Sequence, residues 1–361
     1  MQSYMFRNLL LATAASAVAT VTLMAAAKAD DMKIEFITKF PAEFFATLEN
    51  GGKAMAAKHP EIKLVFGQAK SGTDAEGEIA IIESMITQGV KGIVITPIDP
   101  SVAPALDDAV KAGIRVVLMD NDLPDWKNKT AVVATDNFVG GKLAGTWLKS
   151  KLPKGAKVGL IAGVPDVPAL DARLKGMIEG FGDQGTTVGG NIATKCQPEL
   201  GVTAAENMLA ATPDVAAFFA ACGAPALGAA QAIDNAKILK GKILVVGFDG
   251  LGDEFKAIEG GSEAATVVQY PAKIGELGVE TLFKALSGEK VAAFVDTGTG
   301  LATKENLAKF KQQCGARWNV AAGPNSAITP IHEQMLWSAM SLVALNGSGR
   351  FYSGTGFVEL I

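Results

Sequence analysis

The sequence predicts an α/β protein of two similar lobes, each built on a parallel sheet. Short β-branched runs alternate with longer stretches of helical period, the rhythm of successive parallel α/β units. Those runs fall into two like sets. One strand end of the first set, Val116-Val117-Leu118-Met119-Asp120, is nearly repeated in the second as Val245-Val246-Gly247-Phe248-Asp249. At 361 residues and 49% hydrophobic content the chain is long enough for two domains and apolar enough to fill a core in each.

Strands of the first set are expected at 33–38, 63–67, 92–96, 115–119 and 131–134, and those of the second at 157–162, 190–195, 215–220, 242–247 and 264–268. The helices between them carry apolar stripes, with Ile79, Ile82, Ile86 and Val90 on one and Leu143, Trp147 and Leu148 on another expected to face the core. Ahead of the first strand, Met1 to Arg7 reads as a positive n-region and Asn8 to Met24 as an apolar h-region. Ala27-Lys28-Ala29 then reads as a small-x-small cleavage site. A membrane anchor is the competing reading, but Thr and Ser break the run and it is short for a span. Residues 1–29 are therefore expected to be a signal peptide cut near Ala29, leaving an exported, soluble chain that starts near Asp30.

Several function classes are disfavoured by composition. The 37 acidic and 33 basic residues give a net charge of −4 with no long run of either sign, so no nucleic-acid footprint is visible and a neutral small ligand fits better. The three cysteines, Cys196, Cys222 and Cys314, include no C-x-x-C pair, and the two histidines are His59 and His332. His59 precedes Pro60 and reads as a helix-end cap. No metal site and no cofactor are expected, since no G-x-G-x-x-G or phosphate loop follows a strand.

Ligands of open parallel sheets bind beyond the carboxyl ends of the strands, so those ends are the candidate site. Asp120 and Asp249 each place a carboxylate there, suited to two hydrogen bonds from vicinal hydroxyls, unless each simply caps the helix that follows. After the first strand, Lys39, Phe40, Glu43, Phe44 and Phe45 bring three aromatic rings and two charges; rings of this kind cover the C–H faces of a sugar, although one of Phe44 and Phe45 is expected in the core. Gln269, after the last strand, offers donor and acceptor to hydroxyls, or serves only the hydrogen bonding of a segment crossing between lobes.

The order and spacing of these pieces resemble the type I periplasmic sugar-binding proteins of the ribose-binding type, from about Ile34 to about Leu307. The motifs are Phe44-Phe45, Thr135-Asp136-Asn137-Phe138-Val139-Gly140-Gly141-Lys142, Thr212-Pro213-Asp214-Val215, Ala226-Leu227-Gly228, Val246-Gly247-Phe248-Asp249-Gly250 and Ala265-Thr266-Val267-Val268-Gln269. The resemblance implies two lobes, each a parallel sheet sandwiched by helices, joined by a three-segment hinge near 134–137, 269–271 and 296–300. The N-terminal lobe would hold 32–135 plus 271–297, and the C-terminal lobe 136–270 plus 298–310. It implies a monomer that closes on a monosaccharide or sugar-like polyol in the periplasm, then docks on the membrane permease and ATPase of an ABC importer.

Carried over residue by residue, Phe44, Phe45, Asp120, Asp249 and Gln269 keep the family's types, and Asp136 lies in the first crossing. Five positions depart. Ala42-Glu43 stands where an Asn is usual, Asn121 where Arg is common, and Asp171 where an Arg holds ligand, with Arg173 two places on and restored by a shift of register. Cys196 replaces an aromatic and Cys222 an Asn. In an exported chain these two form a candidate disulfide, the alternative being two buried apolar thiols. The departures disfavour ribose or glucose, while Lys39 and Arg173 leave room for an acidic sugar or an inositol.

From 311 to 361 no family counterpart and no βα rhythm is found, and this stretch is expected to be a tail dispensable for binding. A related transcription repressor would need a DNA-binding helix pair where this chain has an export signal. A glycoside-processing enzyme using the strand-end carboxylates is the remaining alternative, without a supporting nucleophile or histidine.

Overall fold

The computed structural model describes residues 31–318. The signal-peptide reading and residues 319–361 of the tail lie outside it. Twelve strands form two sheets of six among the described residues. The first contains β1 (Met32–Thr38), β2 (Ile62–Gln68), β3 (Gly92–Ile95), β4 (Arg115–Met119), β5 (Ala131–Ala134) and β11 (Phe294–Asp296), in the order β11-β5-β4-β3-β1-β2. The second contains β6 (Ala156–Ala162), β7 (Gly185–Ala193), β8 (Val215–Ala220), β9 (Leu244–Asp249), β10 (Ala265–Val268) and β12 (Gly300–Thr303), in the order β12-β10-β9-β8-β6-β7. The two orders are the same path walked twice. Every pairing is parallel except β10 with β12.

Parallel strands buried on both faces read as unbroken apolar runs, and β3, β5 and β10 are buried at every position. Each sheet accordingly has a core on either side. In the first lobe, Ile82, Leu106 and Leu118 belong to one core and Phe36, Leu48 and Val117 to the other. In the second, Phe218 and Ile233 lie on one side and Phe181, Phe219 and Phe248 on the other. Ten helices cover these faces among the described residues: α1 (Glu43–Ala56), α2 (Ala75–Thr87), α3 (Ala103–Lys111), α4 (Asn137–Lys151), α5 (Pro168–Phe181), α6 (Pro198–Ala211), α7 (Gly223–Asn235), α8 (Gly252–Gly260), α9 (Pro271–Leu286) and α10 (Leu307–Trp318). Proline in the first turn of α5, α6 and α9 costs no hydrogen bond and presets φ.

The chain passes between the sheets three times: from β5 into α4, from β10 into α9, and from β11 to β12. The sequence reading counted ten strands and omitted β11 and β12, which are three and four residues long and sit at sheet margins. It also began β7 five residues late, because Gly185-Thr186-Thr187-Val188-Gly189-Gly190 is too glycine-rich to read as strand. The helix at 307–318 continues through the boundary expected at 311.

Helix α4 corrects a further expectation. Its inward face is Gly140, Gly141, Ala144, Gly145 and Leu148, with Trp147 packed partly buried against the same core as expected, while Leu143 is 38% exposed. Small residues are needed there because α4 and α5 touch backbone to backbone. A Cβ on Gly141 would stand 2.1 Å from the Arg173 carbonyl oxygen, and one on Gly176 the same 2.1 Å from that of Phe138. This contact fixes Arg173 against the start of α4.

Candidate ligand-binding cleft

Side chains from the strand ends of both lobes line one cleft, a void of about 850 Å³ including its mouth. Twelve of the expected residues border it: Lys39, Phe40, Glu43, Phe44, Phe45, Asp120, Asn121, Arg173, Cys196, Cys222, Asp249 and Gln269. Two do not. Asp136 accepts a hydrogen bond from the Val139 amide at 3.0 Å and caps α4. Asp171 lies in the first turn of α5 and is exposed. One helical turn has about 3.6 residues, so Arg173, two positions on, points away from Asp171 and into the protein; it is 4% exposed.

Arg173 organises the second lobe's share of the site. Its Nε donates to Asn137 Oδ1 at 2.8 Å, and its Nη1 donates to the Ala221 carbonyl at 2.8 Å and to Asp249 Oδ1 at 3.1 Å. The guanidinium lies 3.8 Å above the centre of the Phe248 ring. Asp249 also accepts from Gln269 Nε2 at 2.7 Å and, through Oδ2, from the Gly223 amide at 3.1 Å. Behind it, Glu254 accepts from the Leu251 amide at 2.8 Å and from Thr266 Oγ1 at 2.6 Å. Burial, and then the charge of Asp249, push the Glu254 carboxyl up to about 8. Burial and Glu254 itself hold Glu263 well above the usual carboxylate range.

Across the cleft, Asp120 follows β4 and is 8% exposed. Burial pushes its carboxyl up to about 6, against the pull of Arg173 and Lys39 and with help from Asp249. Lys39 is buried and donates to the Ile98 carbonyl at 3.4 Å, while the Ile98 amide donates to Glu78 at 2.8 Å. Burial lowers the Lys39 ammonium, opposed first by Asp120, and raises Glu78 to about 7. Asn121 is tied back, its Nδ2 donating to the Pro97 carbonyl at 3.2 Å. Two buried acceptors in the cleft have no partner in the protein, Asp120 Oδ1 and Gln269 Oε1. Desolvating an acceptor without a partner is costly, so both call for a donor from a ligand.

The aromatic trio packs edge to face. Phe40 and Phe45 have ring centres 5.1 Å apart at 77°, and Phe44 and Phe45 5.4 Å apart at 88°. Phe45 is buried beside the cleft and Phe44 leans on the first lobe's core. Glu43 is exposed at the mouth; desolvation, then Asp253, hold its carboxyl above the ordinary range.

Cys196 and Cys222 are joined by a disulfide, their Cα atoms 5.6 Å apart. They follow β7 and β8, and the sheet order puts β6 between those two strands. The bridge therefore passes over the end of β6 at Gly163, where a Cβ would lie 2.9 Å from one sulfur and 3.0 Å from the other. Beside it stand Val164, Val167 and Leu170, which with Ala224, Leu251, Lys195 and Gly72 line the cleft without having been foreseen. Val164 and Leu251 come just after β6 and β9, so strand-end reading extended to apolar residues finds them. Six non-glycine residues have positive φ among the described ones, and Asp120, Lys195, Cys196 and Asp249 of these line the cleft. Such backbone is unfavourable and concentrates where side chains must be aimed.

A family model described as a periplasmic binding protein domain matches residues 34–290. The chain belongs to that family. Among curated members of this periplasmic binding protein family, the ribose import binding protein of Escherichia coli is 33% identical over 82% of this chain and 98% of its own length. The D-ribose/D-allose-binding protein of Pseudomonas aeruginosa is 32% identical over 77% of this chain and 89% of its own. The solved structure of an ABC transporter solute-binding protein from Agrobacterium vitis with bound D-fucose superposes with a TM-score of 0.73 at 29% identity, covering 78% of this chain and 99% of that one. One from Actinobacillus succinogenes with bound D-allose gives 0.70 at 26% identity, covering 77% and 99%.

Proposed function

We propose that this chain is the extracytoplasmic binding protein of an ABC importer, capturing a neutral monosaccharide or sugar-like polyol between its lobes and presenting it to a membrane permease. The observation that carries the reading is the pairing of a carboxylate at a β4 end with one at a β9 end on a cleft that also holds three aromatic rings, with Asp120 Oδ1 and Gln269 Oε1 left as unpartnered acceptors. Hydroxyls donate to these acceptors, and rings cover carbon faces. Ribose- and allose-binding relatives of nearly full coverage support the same class of ligand. Export to the periplasm with cleavage near Ala29 follows from the N-terminal pattern, and Edman sequencing of the exported protein is expected to begin at Asp30.

As an enzyme the cleft is poorly equipped. A glycosidase works with a pair of carboxyls, but both oxygens of Asp249 accept hydrogen bonds from Arg173, Gln269 and Gly223, which leaves Asp120 without a second strand-end carboxyl to act with. The test is a thermal-shift screen of the mature chain against sugars, polyols and sugar acids. A ligand at 100 times its Kd stabilises the folded form by about 2.7 kcal/mol, which raises the melting point by several degrees. No shift with any member contradicts the assignment, and turnover of a glycoside replaces it with the enzyme.

A further inference from the structure

We infer that the ligand is a neutral polyol with one deoxygenated end, its hydroxyls gathered at the hinge and a methyl or other bare carbon seated on the disulfide wall away from it. The inference rests on the sugar-binding reading above and narrows it.

Sheet order segregates the lining. In the second lobe the polar groups come from β9 and β10, as Asp249 and Gln269, and from Arg173, which is bonded to Asp249. Strand β10 leads directly into a crossing between lobes. At the other side of the same sheet edge, the ends of β8, β6 and β7 carry Cys222, Val164 and Cys196, and Val167 and Leu170 of the following segment pack with them into one apolar cluster. The first lobe repeats this layout. Asp120 and Asn121 follow β4, beside the crossing strand β5, whereas Phe40, Phe44 and Phe45 follow β1, on the far side of β3. The hinge-proximal half of the cleft thus offers hydrogen bonds, and the far half offers sulfur, methyl groups and rings.

Charge assigns the ligand's neutrality. Each buried cation is offset by carboxylates, Arg173 by Asp249 at 3.1 Å and Lys39 by Asp120 and Glu78, while the buried cleft atoms left without partners, Asp120 Oδ1 and Gln269 Oε1, are both acceptors. They ask for donated protons, which a carboxylate does not have. Lys195 and Glu43 also border the far half, but both are exposed at the mouth, and Lys39, which follows β1, is turned aside to the Ile98 carbonyl beyond β3. A hydroxyl pressed on the disulfide, Val164 and Leu170 would lose its water without gaining a partner.

Calorimetry on the full mature chain tests this with pairs differing by one terminal hydroxyl, D-galactose against D-fucose and L-mannose against L-rhamnose, with D-galacturonate as the anionic member. In a pair that binds, the deoxy sugar is expected to bind about tenfold tighter or more, and Val164→Thr, nearly isosteric and partly buried, is expected to cut that ratio at least threefold. Equal or tighter binding of the parent sugar, tighter binding of the uronate, or a ratio unmoved by Val164→Thr overturns the inference while leaving sugar binding standing. Silence from every sugar overturns the sugar-binding reading itself.

Discussion

Arg173 is held by three acceptors and a ring, and its partner Asp249 is 16% exposed at the side chain. Removing one member of such a buried pair leaves the other uncompensated, so Arg173→Ala is expected to cost about 3 kcal/mol of stability and to abolish measurable ligand affinity; Asp171→Ala, two residues away and exposed, is expected to alter neither. Denaturant melts and calorimetry on both variants check this contrast. Asp120 makes a pH prediction. Its folded carboxyl is raised to about 6, so the free protein takes up a proton as pH falls through that value, whereas donated hydroxyls favour the carboxylate. Affinity is expected to be flat above pH 7 and about tenfold weaker at pH 5, and Asp120→Asn to bind weakly with no such slope. An unchanged slope in Asp120→Asn removes this carboxyl from the ligand. The sequence made the carboxylates, Gln269 and the aromatic rings legible because strand ends are predictable from β-branched runs. It left Asp171 against Arg173 undecided, since that choice is a helical register fixed only by packing of α5 on α4. Asp136 was misjudged because a helix cap and a ligand residue share the same chemistry at the same position.

The pairing of α4 with α5 links packing to the site. Gly141 and Gly176 each leave no room for a Cβ against the facing helix's carbonyl, so Gly141→Ala is expected to push the helices apart, cost about 2 kcal/mol and weaken binding by moving Arg173. A melt that falls without any change in affinity separates the two effects and refutes the link. The disulfide closes a sequence separation of 26 residues, for which chain entropy gives roughly 3 to 4 kcal/mol. Thiol counting on unfolded, unreduced mature protein is expected to find only Cys314 reactive, and Cys196→Ser/Cys222→Ser to melt lower. Three free thiols contradict the bridge. None of this was legible element by element: glycine in a helix lowers its propensity and reads as a defect until the partner helix is known. Strands β11 and β12 and the first half of β7 escaped for the related reason that neighbours, not composition, make them strands.

Over the whole molecule, duplication was the most readable property, because two sheets with the same strand order impose two sets of like runs on the sequence. The crossings followed from the family resemblance, not from composition. Several carboxyls are buried in this fold, with Glu35 and Glu254 raised to about 8 by burial, Glu78 to about 7 and Glu263 well above its ordinary range. A raised carboxyl favours folding while it stays protonated and loses that contribution as pH rises through its folded value. The melting point is therefore expected to fall from about pH 5, just above the ordinary carboxylate value, to about pH 8 and to level off beyond it, less steeply in Glu263→Gln; an equal slope in that variant excludes the Glu254–Glu263 pair as a source. The most direct test of the whole account is a crystal structure of the mature chain with the sugar that stabilises it most. Ligand hydroxyls are expected within hydrogen-bonding distance of Asp120 and Gln269, with carbon faces on Phe44 or Phe45 and on the disulfide. A ligand bound outside this cleft, or one that turns its hydroxyls to the disulfide wall, would contradict it.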